Sequence, residues 1–289
     1  MLHFPLPSRA ERRELIDYFL SKKNHDETMD DQARDDLAAS AMGYSPASLE
    51  RLFDEALLFA LRDGRNRLGV ADCRRARMDV EIGLAEPTEY TPEERACIAT
   101  HEAGHATVAY LVGTGRKLDV LSIVKRKDAL GLLAHSESEE RYTKRRSEAL
   151  AMIQISLGGM VSEELFFGES GTGPGGDLVA ATTIAVELVG SLGLGGSLVS
   201  FRAADSGAFG GDLVAQVLSD ERARDQVEKL LDDQKAIVTR LLAENRHSIE
   251  ALRAELLERA ELVDREIVEV IETAEREGGL IVDLREPIS

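Results

Sequence analysis

Two of the six histidines of this chain stand four residues apart, in the stretch CIATHEAGHATVAYLVG. Side chains at this spacing share one face of a helix, so His101 and His105 are placed to bind one metal ion. Glu102 projects about 100° away from His101, where it can hold a metal-bound water without being a ligand. Neutral imidazole suits zinc, which lowers the pKa of a bound water to about 7. The HExxH pattern therefore predicts zinc-dependent hydrolysis, with Glu102 as general base and then general acid.

The motif also has a simpler interpretation, because HExxH is short and occurs by chance in unrelated proteins. In that case the segment is a core or surface helix that carries two incidental histidines. Gly104 favours a packed site over this alternative. Glycine inside a helix is about 1 kcal/mol less favourable than alanine, so its presence indicates close approach of another element.

A catalytic zinc requires a third protein ligand and one open coordination position. The residues after His105 are ATVAYL, which excludes the HExxHxxGxxH arrangement. Three later carboxylates are candidates: Glu163 and Glu164 in GGMVSEELFFGE, and Asp177 in GTGPGGDLVAATTIA. Spacing alone leaves the choice open, and Asp177 also fits a simple helix N-cap.

The flanking residues predict the elements that must position this motif. Thr91 is a helix cap, Pro92 stands in the first turn, Glu94 completes a capping box and Gly113 ends the helix. The segments KLDVLSIVKR and ALGLLAHSES are predicted to be short strands joined at RKDA. A helix near 143–157 follows, and GGMVSEELFFGE is predicted as a separate helix after a glycine break.

The remaining segments are predicted to be mainly helical. SGTGPGGD is a loop that precedes a helix near 177–192, and the tail has 3.6-residue periodicity throughout. Residues 1–84 contain four short predicted helices, near 8–22, 29–41, 45–64 and 70–83. We therefore expect a mainly α fold with a small β-element, in which a helical unit (1–84) and a linker (85–90) precede the domain with the motif (91–289).

Composition limits the class of protein. Hydrophobic residues make up 43% and charged residues 30% of the chain, which is typical of a globular protein. The net charge of -18 argues against a nucleic-acid partner, because phosphate binding requires a basic surface. Two cysteines are too few for a disulfide framework and favour a reducing compartment. No signal peptide and no apolar run of membrane-spanning length is visible, so this chain is expected to be cytoplasmic as it stands.

The motifs taken together resemble a known family. HEAGHA, SIVKRKDALGLLAHS, LGGMVSEELFFGE and GTGPGGDLVAATTIA, in this order, resemble the peptidase domain of FtsH-type AAA proteases. The tail IVTRLLAENRHSIEALRAELLERAELVDREI is similar to the C-terminal helices of that family. Residues 1–84, which include GYSPASLERLFDEALLFALRDGRNRLGVADCRRA, look like the helical lid that ends an AAA ATPase module. The resemblance covers nearly the whole chain.

The resemblance implies specific roles for residues that the spacing left open. It implies one zinc per chain with Asp177 as the third ligand, while Glu163 and Glu164 support the site or lie on the helix surface. It also implies an edge strand at which an extended substrate adds a strand by backbone pairing. That strand comprises Leu130, Gly131, Leu132, Leu133, Ala134 and His135.

Two features of the sequence differ from the family pattern. Gly176 stands where family members usually have asparagine, and Leu192, Gly193 and Leu194 stand where they usually have Trp-Gly-Met. The sequence also has no GxxxxGK[ST] loop, so no ATP site is expected in this chain. An AAA ATPase is then expected either in cis, in a longer parent, or in trans, and longer family members are membrane-anchored with this part in the cytosol.

We therefore predict a zinc endopeptidase that degrades unfolded or flexible polypeptides, and by family resemblance six chains form a ring. The alternative from another class is a non-catalytic ring-assembly module with a structural or degenerate zinc site. A third hypothesis, a zinc-free helical scaffold, requires the HExxH motif to be accidental. Glu102 argues against the assembly module, because a purely structural site has no use for a base at that position.

Overall fold

The computed structural model describes residues 5–81, 83–126, 129–137, 143–204 and 212–283. Within these ranges it contains eleven α-helices and one three-stranded sheet, which confirms the prediction of a mainly α fold with a small β-element. The contacts divide the chain into two compact units. The first comprises Met1–Pro87, Lys125–Ala129 and Ser136–Glu140, and the second comprises Thr88–Val124, Leu130–His135 and Arg141–Ser289.

The first unit is built from four helices: α1 (Arg9–Ser21), α2 (Asp31–Ser40), α3 (Pro46–Arg62) and α4 (Val70–Glu81). Their starts follow the expected capping chemistry. The Ser8 hydroxyl accepts a hydrogen bond from the backbone N–H of Glu11, whose carboxylate accepts one from the Ser8 N–H in return. At the start of α3 the Ser45 hydroxyl accepts a hydrogen bond from the backbone N–H of Ser48. The apolar face of α3 forms the centre of this unit's core, with Leu49, Leu52, Phe53, Ala56, Phe59 and Ala60 buried.

The second unit is organised around α5 (Pro92–Val112), which carries the HExxH motif. The predicted capping box is present: the Thr91 hydroxyl accepts from the Glu94 N–H, and the Glu94 carboxylate accepts from the Thr91 N–H. Every residue from Ile98 to Ala109 is buried. The helix is therefore a core element on all sides, and polar side chains within it need partners inside the protein.

A small sheet lies beside α5 and has the strand order β2-β1-β3. Strands β1 (Arg116–Ser122) and β2 (Leu132–Glu137) correspond to the two predicted strands, and part of their predicted connection, 127–128, lies outside the described residues. Strand β3 (Glu261–Val263) pairs antiparallel with β1 and places Leu262 opposite Leu121. The prediction of a wholly helical tail was wrong here, because three residues are too short to show strand alternation.

Helix α6 (Arg146–Phe167) runs without interruption through the two glycines that were predicted to break it. Gly158 and Gly159 instead allow close packing on α5. A Cβ atom on Gly158 would lie 2.8 Å from the carbonyl oxygen of Gly104, and a Cβ on Gly104 would overlap the Gly158 carbonyl. The absence of side chains at these crossing points therefore brings the two helix backbones together, as expected from Gly104. Helix α6 ends at Gly168, which has the left-handed conformation with φ of 83°.

The remaining helices complete the core of the second unit. Helix α7 (Gly175–Gly190) begins two residues earlier than predicted and packs on α6. The tail contributes four more helices, which are α8 (Leu213–Ser219), α9 (Glu221–Glu244), α10 (Arg246–Arg259) and α11 (Arg265–Asp283). Among the described residues, only α6 is long and apolar enough to cross a membrane. Helix α6 packs against α5, α7 and α9, and core helices of globular proteins have the same composition, so this is weak evidence for a membrane span.

Candidate metal centre

His101 and His105 project from one face of α5 and meet edge to face, with ring centroids 4.6 Å apart. Their Nε2 atoms are 3.0 Å from each other. Both side chains are buried, as expected from their position in the middle of a core helix. The i, i+4 spacing therefore brings the two ring nitrogens to one point, as the sequence predicted.

Asp177 completes this group from a different helix. Its Oδ2 atom lies 3.1 Å from Nε2 of His101 and 3.4 Å from Nε2 of His105. The alternative role of Asp177 as a simple N-cap was wrong, because α7 has its N-cap at Pro174 and Asp177 lies in the first turn. Its position in the first turn of α7 also favours its negative charge, because the helix N-terminus carries a partial positive charge.

The two glutamates of α6 lie outside this group of three ligand atoms. Glu163 Oε1 accepts a hydrogen bond from Nδ1 of His101 at 2.6 Å, and its Oε2 accepts one from the backbone N–H of Gly171 at 2.6 Å. Glu164 accepts a hydrogen bond from Lys235 Nζ at 2.7 Å. Glu163 therefore orients a histidine ring from behind, whereas Glu164 forms a partly exposed ion pair with α9.

The tautomers of both histidines follow from these partners. His105 Nδ1 lies 2.6 Å from the carbonyl oxygen of Ile155, which can only accept, so Nδ1 donates. His101 Nδ1 likewise donates to Glu163. When both rings are neutral, their Nε2 atoms carry lone pairs directed at each other and at the Asp177 carboxylate. That arrangement is repulsive unless a cation lies between them.

The spacing of the three ligand atoms suits zinc. Ligands about 2.1 Å from a tetrahedral zinc stand about 3.4 Å from each other. The observed separations of 3.0, 3.1 and 3.4 Å are close to that value. Two imidazoles and one carboxylate are also a ligand set that leaves one position open. These residues therefore fit a zinc ion, and they are the residues that would hold it.

The electrostatics of the site favour a positive charge. Burial alone would lower the pKa of His101, but Asp177 and Glu163 together raise that pKa to about 10. Burial opposes ionisation of Asp177, yet the hydrogen bonds with His101 and His105 hold its pKa well below the usual range for aspartate. The buried carboxylate of Glu163 and the half-buried carboxylate of Asp177, around two imidazoles, therefore make the site attractive to a cation.

Glu102 lies beside the ligand group and does not belong to it. Its side chain is buried, and this burial raises the pKa of its carboxyl, although His105 and His101 oppose the shift. The carboxylate lies against the backbone of Gly131, where a Cβ atom would stand 2.5 Å from Glu102 Oε1. A carboxyl group with a raised pKa next to a metal-binding group can accept and return a proton.

The segment predicted to pair with substrate lies at one end of the sheet order, in β2. The strand starts later than predicted, at Leu132, so that Leu130 and Gly131 precede it. The carbonyl oxygen of Leu130 accepts a hydrogen bond from the Tyr90 hydroxyl at 2.9 Å. At the other end of the segment, His135 Nδ1 accepts one from Arg116 Nε at 2.9 Å. Burial, followed by the charge of Arg116, lowers the pKa of His135 to about 4.

Sequence reasoning missed two residues that shape the site. A Cβ atom on Gly159 would overlap the His101 ring and would lie 2.6 Å from its Nδ1 atom, so the ring occupies the space left by this glycine. The consecutive glycines in GGMVSEELFFGE were the available signal for this contact. Tyr90, which holds the Leu130 carbonyl, stands in the predicted linker and gave no comparable signal.

Comparison with known proteins identifies the same family that the sequence motifs resemble. Residues 88–271 match the sequence profile described as Peptidase family M41. Similar proteins include an ATP-dependent zinc metalloprotease FtsH from Parabacteroides distasonis, 33% identical over 85% of this chain and 36% of that protein. FtsH 3 of Sphaerobacter thermophilus is 32% identical over 86% of this chain and 49% of its own length. FtsH of Thermotoga maritima is 37% identical over 55% of this chain and 26% of its own length. The chain thus spans at most about half of the length of these relatives.

Proposed function

The chain belongs to peptidase family M41, the FtsH-type zinc metalloproteases, and from this premise we propose that it is a zinc endopeptidase whose metal is bound by His101, His105 and Asp177. The observation that carries the proposal is the convergence of three ligand atoms, each 3.0–3.4 Å from the others. Both histidines donate their Nδ1 protons to other groups, which leaves Nε2 free to bind metal.

The metal and the protein contribute different parts of the chemistry. Zinc, when bound, supplies a Lewis acid that lowers the pKa of water and polarises a carbonyl group. Glu102 is the general base: its buried carboxylate accepts a proton from the attacking water and then donates it to the leaving amine. Burial raises the pKa of Glu102, and this direction favours the first half of the role, in which the carboxylate takes up a proton.

The substrate is proposed to be an extended polypeptide segment that adds a strand next to β2. Backbone pairing at a sheet edge gives affinity with little dependence on side chains. Folded domains are stable by about 5–15 kcal/mol and rarely expose such a segment. We therefore expect unfolded or flexible polypeptides to be cleaved in preference to folded ones.

We propose that ATP takes no part in peptide hydrolysis at this site. Peptide hydrolysis is downhill, and the sequence has no phosphate-binding GxxxxGK[ST] loop. The relatives are named as ATP-dependent, so an ATPase in cis or in trans would unfold substrates for this domain. A ring of six chains, with the peptidase domain in the cytosol, is part of the same proposal and rests on the family alone.

The test combines metal analysis with proteolysis. The purified chain should contain one zinc and should cleave a natively flexible protein, with no effect of ATP and with loss of activity in a chelator. Glu102→Gln should retain zinc and abolish cleavage, because the amide cannot accept the proton. Glu164→Gln is the matched control and should retain both, since Glu164 pairs with Lys235. Zinc-loaded protein that cleaves nothing would contradict the proposal and favour the ring-assembly module.

A further inference from the structure

Gly131 immediately precedes β2 and does not require glycine for its backbone conformation. Within the described ranges, the glycines with positive φ are Gly43, Gly64, Gly83, Gly115, Gly168, Gly193 and Gly196. Gly131 is not among these, so an L-residue would fit its backbone without the strain of the left-handed region. The reason for glycine at this position must therefore lie in its surroundings.

Those surroundings leave no room for a side chain. A Cβ atom on Gly131 would stand 2.5 Å from Oε1 and 2.7 Å from Cγ of Glu102, and 2.8 Å from Cγ2 of Ile98. All three distances are shorter than ordinary carbon contacts, which begin near 3.5 Å. Two of the three atoms belong to the side chain that the proposed mechanism uses as its base. A methyl group here would thus occupy the position of that base.

Neither backbone can easily move away from this contact. The Tyr90 hydroxyl holds the carbonyl oxygen of Leu130, the residue before Gly131, at 2.9 Å. On the other side, Glu102 belongs to the fully buried part of α5, whose backbone is packed against α6. The Glu102 side chain can move more easily than either backbone. A methyl group at residue 131 would therefore force this side chain out of its present rotamer.

We propose that Gly131 is a positioning residue for Glu102: the missing side chain at the start of the substrate strand provides the space in which the catalytic carboxylate lies. This inference rests on the proposed function and extends it to a residue that contacts neither the metal ligands nor a proton in transfer. It also places the scissile bond. A substrate strand paired along β2 is cleaved at the end near Gly131, and residues paired near His135 lie about 13 Å from that glycine.

The proposal is tested first by the kinetics of Gly131→Ala. Displacement of a catalytic group by about 1 Å lowers kcat on the order of 100-fold, whereas pairing along the rest of the strand is retained. We expect a large loss of kcat, a KM within about threefold of wild type and one zinc per chain. Gly176→Ala is the matched control, since its Cβ would meet nothing within 4 Å, and it should change none of these values. Unchanged kcat, or a change in KM alone, would overturn the proposal.

A double-mutant cycle on thermal stability tests the same contact without any activity measurement. Gly131→Ala should lower the apparent Tm by about 3 °C or more in the wild-type background. In the Glu102→Ala background, which lacks both contacting atoms of Glu102, the loss should be less than half as large. Equal losses in the two backgrounds would show that Glu102 is not what the methyl group displaces.

The double-mutant cycle also tests the proposal if Gly131→Ala does not fold. If Gly131→Ala is unfolded and the double variant with Glu102→Ala is folded, the contact with Glu102 is confirmed. If both are unfolded, other contacts dominate and the proposal is wrong. A chain that binds zinc, shows the expected coupling and cleaves nothing would support this contact while contradicting the proposed function.

Discussion

The Oε1 atom of Glu163 lies 2.6 Å from Nδ1 of His101, on the side of the ring opposite to the atom that faces Asp177. The carboxylate therefore fixes both the tautomer and the orientation of one proposed metal ligand. Its second oxygen accepts from the N–H of Gly171, in the loop that leads to Asp177. One glutamate thus connects α6 to both of these proposed ligands.

The contact between Glu163 and His101 predicts that substitutions of Glu163 and Glu164 weaken zinc binding to different extents. Glu163→Ala removes both hydrogen bonds and should weaken zinc binding by about 10- to 100-fold. Glu163→Gln can still accept from His101 and should weaken it less. Glu164→Ala should remain within about twofold of wild type, because it loses only a partly exposed ion pair. Competition with a chromogenic chelator measures the zinc affinity of each variant. A larger loss of affinity at Glu164 than at Glu163 would contradict the prediction.

Replacement of Asp177 tests its role as third ligand. Asp177→Ala should reduce bound zinc to well under one equivalent after dialysis, because two imidazoles alone do not hold zinc tightly. Helix content should be unchanged, since α7 has its N-cap at Pro174. Metal analysis and far-ultraviolet circular dichroism measure both outcomes. Full zinc content in Asp177→Ala would show that the third ligand is a different residue.

Gly159→Ala should weaken zinc binding while leaving helix α6 folded. The added methyl would overlap the His101 ring and move its Nε2 atom away from Asp177. We expect a fall in zinc affinity of about tenfold or more, with α6 retained because alanine favours helix. Gly175→Ala, whose Cβ would meet nothing within 4 Å, is the control. Equal zinc affinity of wild type and Gly159→Ala, measured by chelator competition, would refute this role.

His135 predicts a pH dependence of stability. Its pKa is lowered from 6.5 to about 4, because of burial first and then Arg116. Between these values the unfolded chain binds more protons than the folded one, so this contribution is present above pH 6.5 and is lost as the pH falls towards 4. The loss should amount to about 1–3 kcal/mol. Urea unfolding of metal-free wild type and His135→Gln between these limits should show a smaller dependence in the variant, and parallel curves would contradict it.

Much of the local structure could be predicted from the sequence, because its signals act over short distances. The capping boxes at Ser8 and Thr91 use residues three positions apart, and both are present. The i, i+4 pairing of His101 and His105 is likewise a property of one helix. Strand β3 and the continuous α6 were not predicted, because a three-residue strand and a glycine pair are specified by the elements packed against them.

Spacing along the chain left open which carboxylate meets the histidines, and in the folded structure it is Asp177 whose Oδ2 approaches both Nε2 atoms. Glu163, Glu164 and Asp177 are all separated from His101 by more than fifty residues, so no local rule ranks them. The close crossing of α5 and α6 at Gly104 and Gly158 puts Glu163 behind one ring and turns Glu164 towards α9. The sequence by itself determined the reactive groups and the helix that carries them, because both depend on neighbouring residues. Their convergence with Asp177 depends on packing between distant segments, which only the folded chain defines.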